Sequence, residues 1–337
     1  MITLSVSRGH TQCMPLVLGP LRGITDCVFR TAYTRHFGGF DSALAPFVST
    51  VRGVGVARSH LHDLLPEHNP LLTVVPQVIG NDADQLVNSI NALADLGYDT
   101  VDWNLGCPFA KVTRKRRGAG LLSHPDTIAA QLDSVLPRIT CRLSIKTRLG
   151  FASTGDLEQL MPRLAMYPLA SLTIHARTAA QMYEGDVDLD AFERCLALAA
   201  VPVVYNGDIV NVEGFEALRA RFGTRVAGWM IARGAVADPF LPAVIRGAPY
   251  PPASEAVERI RAFHEELFDS YRRRLSGPGP LFGRMKELWR LLGGWFADGD
   301  RLVGKLCRTQ SEAAYRRAVD RLLAQPPRAW QHANGHR

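Results

Sequence analysis

The sequence predicts an α/β fold, a (β/α)8 TIM barrel followed by a small all-α helical bundle. Three observations predict it: eight short apolar runs, helical-period segments between most of them, and a proline-rich stretch after which only helical patterns occur. The runs are Pro15 to Leu18, Ser42 to Pro46, Leu72 to Val78, Thr100 to Asn104, Leu143 to Thr147, Ser171 to His175, Val201 to Tyr205 and Val226 to Ile231. Continuous apolar runs of this length indicate parallel strands covered by helices.

Between them, Asp82 to Leu96 repeats Leu86, Val87, Ile90 and Leu93 with helical period, and Pro125 to Leu136 does so with Ile128, Leu132 and Val135. The second unit is the irregular one: Phe47 to Pro70 reads as a long loop with a short helix. A helix around Pro239 to Ile245 ends the barrel, because Ala248-Pro249-Tyr250-Pro251-Pro252 is a stiff helix breaker. The expected units are therefore a catalytic barrel over residues 1–247 and a helical domain over 248–337. In the latter, Ser254 is expected to cap a helix from Glu255 to Leu275, and Gly277-Pro278-Gly279-Pro280 to break it. Helices over Phe282 to Leu292, Asp300 to Thr309 and Glu312 to Leu323 follow, with a frayed tail from Gln325.

A 337-residue chain with 47% hydrophobic residues builds a full core without staples. No apolar run approaches the roughly 20 residues that span a bilayer, and Met1 to Met14 lacks the apolar core of a signal peptide, so a cytoplasmic protein with no membrane partner is expected. The six cysteines are scattered, with no Cys-x-x-Cys and no zinc-type spacing, so reduced thiols and no metal are expected. Residues 251–337 hold 16 Lys and Arg against 10 Asp and Glu, +6 of the net +7. A basic excess so segregated points to a polyanion, nucleic acid before membrane. No obligate protein partner is predicted.

The chemistry centres on Asp102 to Leu122, DWNLGCPFAKVTRKRRGAGLL. Gly106-Cys107-Pro108 can continue neither a helix nor a central strand, so Cys107 sits on a loop just past a strand. Four cations follow, Arg114, Lys115, Arg116 and Arg117. They would lower the thiol pKa; an ordinary thiol donates a proton near neutrality and a depressed one is a nucleophile, and at this point both roles, and a buried spectator, stand. No Cys-His-Asn or Cys-His-Asp arrangement is identifiable, which argues against a hydrolase.

A parallel barrel carries its site at the C-terminal strand ends. Strand by strand these deliver Pro20, Leu21 and Arg22; Gln77; Asn104 and Cys107; Lys146 and Arg148; His175, Arg177 and Tyr183; Asn206-Gly207-Asp208; and Ala232-Arg233-Gly234. A glycine after one strand is an ordinary turn, but Gly207 and Gly234 together, after strands seven and eight, point backbone N–H groups at one phosphate. Lys146, on a buried-type strand, faces either a ligand or a carboxylate such as Asp102. His175 alone reads equally well as a core histidine. The paired donor and acceptor of Gln77 suit the imide edge of a flat heterocycle. Together these describe a phosphorylated planar cofactor over the barrel.

The segments LGPLRGITDCVFR, VPQVIG, VDWNLGCPFAKVTRKRRGAGLL, IKTRLG, TIHARTAAQMYEG, VVYNGDI and GWMIARGAVADPF, in this order and spacing, resemble the tRNA-dihydrouridine synthase family. The resemblance runs along the whole chain, and Asn-x-Gly-Cys-Pro with a downstream Gly-Ala-Gly is its most specific element. It implies FMN as the planar ligand, NADPH as reductant and tRNA as substrate. On it, Gln77 reads the pyrimidine edge of the flavin and Lys146 its N1/O2 side. His175, Asn206 to Asp208 and Ala232 to Gly234 hold the ribityl phosphate, and Pro20, Leu21 and Arg22 touch the ring. Asn104 sits beside the target uracil, Arg177 and Tyr183 line the site, and Cys107 falls on the catalytic acid that protonates C5. Arg114 to Arg117 and the C-terminal helices, with Arg284 and Lys286, hold the tRNA.

Two motifs depart from the family: Pro20-Leu21-Arg22-Gly23 replaces Pro-Met-Glu/Ala-Gly, and His175-Ala176-Arg177-Thr178 replaces His-Gly-Arg-Thr. GRMKELWRLL, Gly283 to Leu292, resembles the bacterial branch that modifies position 16 of the D-loop. The competing readings are a barrel flavoenzyme acting on a free pyrimidine or other metabolite, against which the basic C-terminal part argues, and a non-catalytic RNA-binding protein, against which Cys107, Lys146 and His175 argue.

Overall fold

The computed structural model describes residues 15–51, 56 and 58–328. Cys13, with the rest of Met1 to Met14, residues 52–55 and 57 of the irregular second unit, and the end of the tail lie outside the described residues.

Ten hydrogen-bonded segments, all parallel, make eight strands. Strand β1 is Leu16–Leu18, and β2 runs as Ser42–Leu44 and Val48–Ser49, interrupted at Ala45-Pro46-Phe47. Strand β3 is Thr73–Val75 and Gln77–Ile79, interrupted only by Pro76. Strands β4 to β8 are Thr100–Leu105, Arg142–Gly150, Leu172–Thr178, Val203–Asn206 and Gly228–Ile231. Proline has no N–H to give a ladder, so each interruption falls where the ladder skips a donor. The chain nevertheless continues, and the Pro76 carbonyl still accepts from the Asp102 N–H at 2.9 Å. The first piece of β2 pairs with the first of β3 and the second with the second, and β8 pairs with β1, so the ring closes as a barrel.

Every predicted strand is present, displaced at its ends by at most a few residues. The helices Ala83–Ala94 and Pro125–Val135 fill the expected segments. Their apolar stripes are buried, Leu86, Ile90 and Leu93 on the first and Ile128 and Leu132 on the second. Arg58–Leu64 is the short helix of the second unit.

Three C-terminal expectations are corrected. Ser254 is not the cap: the helix runs Ala253–Arg274 and starts straight from Pro252, whose φ of −52° already suits a helix. Gly277-Pro278-Gly279-Pro280 is not a break, because the next helix is Pro278–Leu292 and its prolines lie in the first turn, where no N–H is needed. The tail is not frayed at Gln325; Ala297 N–H donates to the Pro326 carbonyl at 2.9 Å, and Phe296 and Pro327 form an antiparallel bridge. The helices Gly299–Cys307 and Glu312–Leu323 complete the bundle.

The bundle docks on the first barrel helix, Cys27–His36. Phe263 lies among Phe29, Tyr33 and Phe37 with ring centroids 5.6, 6.3 and 5.0 Å away, and the Tyr271 hydroxyl donates to Asp26 Oδ1 at 2.7 Å. Among the described residues no helix is long and apolar enough to cross a membrane, and no three or more His, Cys, Asp or Glu side chains are grouped to hold a metal ion. Phe263 is 1% exposed. Phe263→Ala is expected to cost about 3–5 kcal/mol in a urea titration, the range for a phenylalanine emptied from a packed core; a loss below about 1 kcal/mol would show that the bundle does not hold the barrel.

Candidate active site at the barrel mouth

Strand alternation builds the site. Val101, Trp103 and Leu105 of β4, Leu143, Ile145 and Leu149 of β5, and Leu172, Ile174 and Ala176 of β6 are buried against the helices. Their alternates point the other way, into the barrel. The register aligns those alternates in rows: Gln77, Asp102 and Ser144; Asn104, Lys146 and Thr173; Arg148, His175 and Asn206. The strands that read as continuous apolar runs therefore carry a polar inner face over three to four neighbours.

One chain of hydrogen bonds runs up this face to the cysteine. Asp102, 1% exposed, accepts from Gln77 Nε2 at 2.7 Å and from Ser144 Oγ at 2.9 Å. Gln77 Oε1 accepts from Asn104 Nδ2 at 2.9 Å, and Asn104 Oδ1 accepts from the N–H groups of Gly106 and Cys107 at 3.1 and 2.9 Å. Burial pushes the Asp102 carboxyl up to about 6, with its two donors and Lys146 pulling it back. Both ends of the Gln77 amide are thus engaged by the protein, and the side chain is fully buried.

Burial also raises the Cys107 thiol pKa, against the pull of the Phe109 backbone N–H and of Arg22, Arg148 and Lys146. The expected lowering is overruled, and the cations involved are not the Arg114 to Arg117 run. Near neutrality Cys107 carries its proton.

Lys146 Nζ donates to Asn206 Oδ1 at 2.9 Å, and Asn206 Nδ2 to the Met230 carbonyl at 2.9 Å. Burial, then the Arg148 guanidinium, brings Lys146 down to about 8. Burial and the cations Arg148, Lys146, Arg177 and Arg233 hold His175 well below its usual range, so its imidazole is neutral. Arg148 donates to the carbonyls of Gly106, Thr178 and Met182 at 3.0, 2.7 and 2.7 Å, tying together the loops after β4 and β6. The Tyr183 ring lies against two guanidiniums, Arg148 at 5.2 Å and Arg233 at 4.5 Å from its centroid.

Arg177 lies at the end of β6 and reaches toward the loop after β7. Its guanidinium pairs with Asp208 and with the Gly185 carbonyl and is 3% exposed, so it braces the loop after β7. Arg233 shares Asp208, at 3.3 Å. The two loops interlock at glycine: a Cβ on Gly234 would lie 2.0 Å from the Ile209 carbonyl oxygen, and Gly207 has φ +141°. A pair of turns that admits no side chain, with Arg177 and Arg233 sharing one carboxylate there, fits an anionic group such as a phosphate.

Pro20, Leu21 and Arg22 reach the same mouth, with Leu21 N–H donating to Thr25 Oγ1 at 2.8 Å and Arg22 lying 5.4 Å over the Phe47 ring. Arg114, Lys115 and Arg116 are exposed, whereas Arg117 Nε donates to Asn81 Oδ1 at 3.1 Å. Arg284 pairs with Asp26 at 3.6 Å and lies over the Tyr271 ring, and Lys286 donates to the Thr309 carbonyl at 2.7 Å. Sequence reasoning missed Ser144 and the anchoring role of Asp102; the period-2 spacing of Asp102 with Asn104, and of Ser144 with Lys146 and Arg148, is the signal that finds them.

A lysine depressed from 10.5 to about 8 contributes stability that is present above pH 10.5 and lost as pH falls to about 8. Lys146→Met is therefore expected to gain unfolding free energy over the wild type across that window, with a constant advantage below it. Denaturant titrations of both proteins from pH 7 to 10.5 measure the difference; a difference independent of pH would contradict the assignment.

A sequence model described as dihydrouridine synthase (Dus) matches residues 17–276. A probable tRNA-dihydrouridine synthase of Rhodobacter capsulatus is 29% identical over 84% of this chain and 86% of its own. The tRNA-dihydrouridine(16) synthases of Ralstonia nicotianae and Cupriavidus necator are 32% and 33% identical, each over 69% of this chain and over 72% and 73% of theirs. Among solved structures, histamine dehydrogenase from Rhizobium sp. 4-9 superposes with a TM-score of 0.53 at 11% identity, over 74% of this chain and 46% of that one, a likeness of fold. With the family's sequence matched along three quarters of its length on a barrel of this polar interior, the chain belongs to the dihydrouridine synthase family of oxidoreductases.

Proposed function

We propose that the protein reduces the C5–C6 double bond of a D-loop uridine in tRNA, with bound FMN, with NADPH as reductant, and with Cys107 as the proton donor. The observation that carries the reading is the buried, protonated Cys107 held from the barrel interior by Asn104. Uridine 16 is the favoured position, supported by the names of the Ralstonia and Cupriavidus relatives.

FMN, when bound, supplies the reducing equivalent that reaches uracil C6. The interlocked Gly207 and Gly234 loops, with Arg233 and the neutral His175, suit its ribityl phosphate side, Lys146 its N1/O2 side, and the amide of Gln77 its pyrimidine edge. Burial strips Lys146 of its ordinary hydration, and an electron-rich partner would stabilise the charge it carries below about pH 8. Asn104, whose Nδ2 and Oδ1 are already committed to Gln77 and to the Cys107 loop, presents a fixed edge to the uracil. Cys107 Sγ gives its proton to C5 of the enolate that forms across C4–C5. The uridine must leave its stack to reach the mouth, which a folded tRNA loop tolerates better than a duplex. Arg114, Lys115 and Arg116 supply phosphate contacts beside it, and the helices from residue 248 onward supply the remaining basic surface. Arg284 and Lys286 act there by holding helices together.

Purified protein is expected to be yellow, and to form dihydrouridine in unmodified tRNA when given NADPH. Cys107→Ala should keep NADPH-driven flavin bleaching within about two-fold while dihydrouridine formation drops by about 10²-fold or more, as for loss of a general acid; equal loss of both steps would remove the acid role. Changing Arg114, Lys115 and Arg116 together to Gln should reduce the slope of log affinity for tRNA against log salt by about 2–3, at about 0.7–0.9 per lost contact. An unchanged slope would move tRNA binding elsewhere on the surface.

A further inference from the structure

Among the described residues three Phe, Tyr or Trp side chains are exposed: Phe109 at 50%, Phe151 at 36% and Tyr183 at 39%. All three stand on loops that follow consecutive strands, β4, β5 and β6, at the mouth that holds Cys107. Tyr183 lies against two guanidiniums, and Phe151 is the least exposed. Phe109 is the one whose ring is left to solvent.

Its backbone is nevertheless fixed. The Phe109 carbonyl accepts from the N–H groups of Val112 and Thr113 at 2.8 and 3.0 Å, capping the helical turn Ala110–Thr113. Its N–H is directed at the Cys107 sulfur. A phenylalanine kept half in water forfeits part of the stabilisation that burial gives elsewhere, about 25 cal/mol per Å² of apolar surface. Its backbone is thus held two residues from the proton donor, and Lys111 and the run Arg114 to Arg116 lie on the same exposed stretch. An exposed aromatic ring followed in the chain by exposed cations is an arrangement on which nucleobases of an RNA strand stack while phosphates are neutralised.

We infer that Phe109 is a stacking platform for the nucleobase next to the target uridine, holding the strand open while that uridine occupies the barrel mouth. The inference rests on the function proposed above. The ring substitutes for the stacking partner that the neighbour loses when the uridine leaves, and so lowers the cost of extrusion. Because it acts on the substrate's geometry, it is a positioning residue.

The test compares Phe109→Tyr, Phe109→Trp, Phe109→Leu and Phe109→Ala as full-length holoenzymes on unmodified tRNA. Tyr and Trp should keep kcat/KM for tRNA within about two-fold, while Leu and Ala lose roughly 5- to 150-fold, the range for one base–aromatic stack. Equal melting temperatures for wild type and Phe109→Leu check that the fold is intact. A Leu variant as active as wild type would overturn the inference, as would an equal loss in all four variants or a loss confined to the KM for NADPH. A wild-type protein that forms no dihydrouridine would instead sink the underlying function, and this inference with it.

Discussion

The site hangs on a buried carboxylate. Asp102 has two donors inside the barrel, Gln77 and Ser144, and through Gln77 it fixes Asn104, which in turn fixes the backbone of Cys107. A buried charge without donors is costly, so this geometry has little freedom to relax. The loop that carries the thiol is thereby referred to three strands of the barrel, β3, β4 and β5. Gly106-Cys107-Pro108 has no regular structure of its own, and its position comes from this anchor and from Arg148, which holds the Gly106 carbonyl from the other side.

Charge follows from the same inner face. Lys146, Arg148, Arg177 and Arg233 converge on His175, whereas Asp208 is the carboxylate that two of them share. Carbonyl oxygens satisfy Arg148, and Asp208 satisfies Arg177, leaving Lys146 and the glycine cradle as the parts still poised for an anionic or electron-rich ligand. A protein with this interior is electrostatically incomplete by itself, as a cofactor site is before it is filled. Burial acts in opposite chemical directions on two groups here: it discourages charge on Lys146 and keeps the proton on Cys107.

The barrel strands were legible because each is a short apolar run between turn signals, and a run of that kind has few other ways to be satisfied. Their polar inner face was partly hidden, since Asp102, Ser144 and Thr173 are diluted by apolar neighbours until strand alternation separates the two faces. The helix ends differ from expectation where proline carries the boundary: Pro252 is the N-cap of one helix and Pro278 the first residue of the next, where a residue without an N–H costs nothing. Arg177, Arg284 and Lys286 illustrate a second limit. A cation in a sequence shows its charge but not its partner, and each of these is already engaged by Asp208, Asp26 or the Thr309 carbonyl.

Residues 102 to 122 by themselves determined that a cysteine would sit on a loop past a strand beside a cationic run, since Gly and Pro forbid regular structure there whatever surrounds them. Local sequence likewise determined the strand and helix order, which depends on periodicity alone. Only the tertiary structure decided the protonation of Cys107, because burial depends on elements distant in the chain and here outweighs the neighbouring cations. It also decided which polar groups of the mouth remain available to a ligand, because hydrogen bonds between β3, β4, β5 and β7 are set by barrel closure and register, which no single segment encodes.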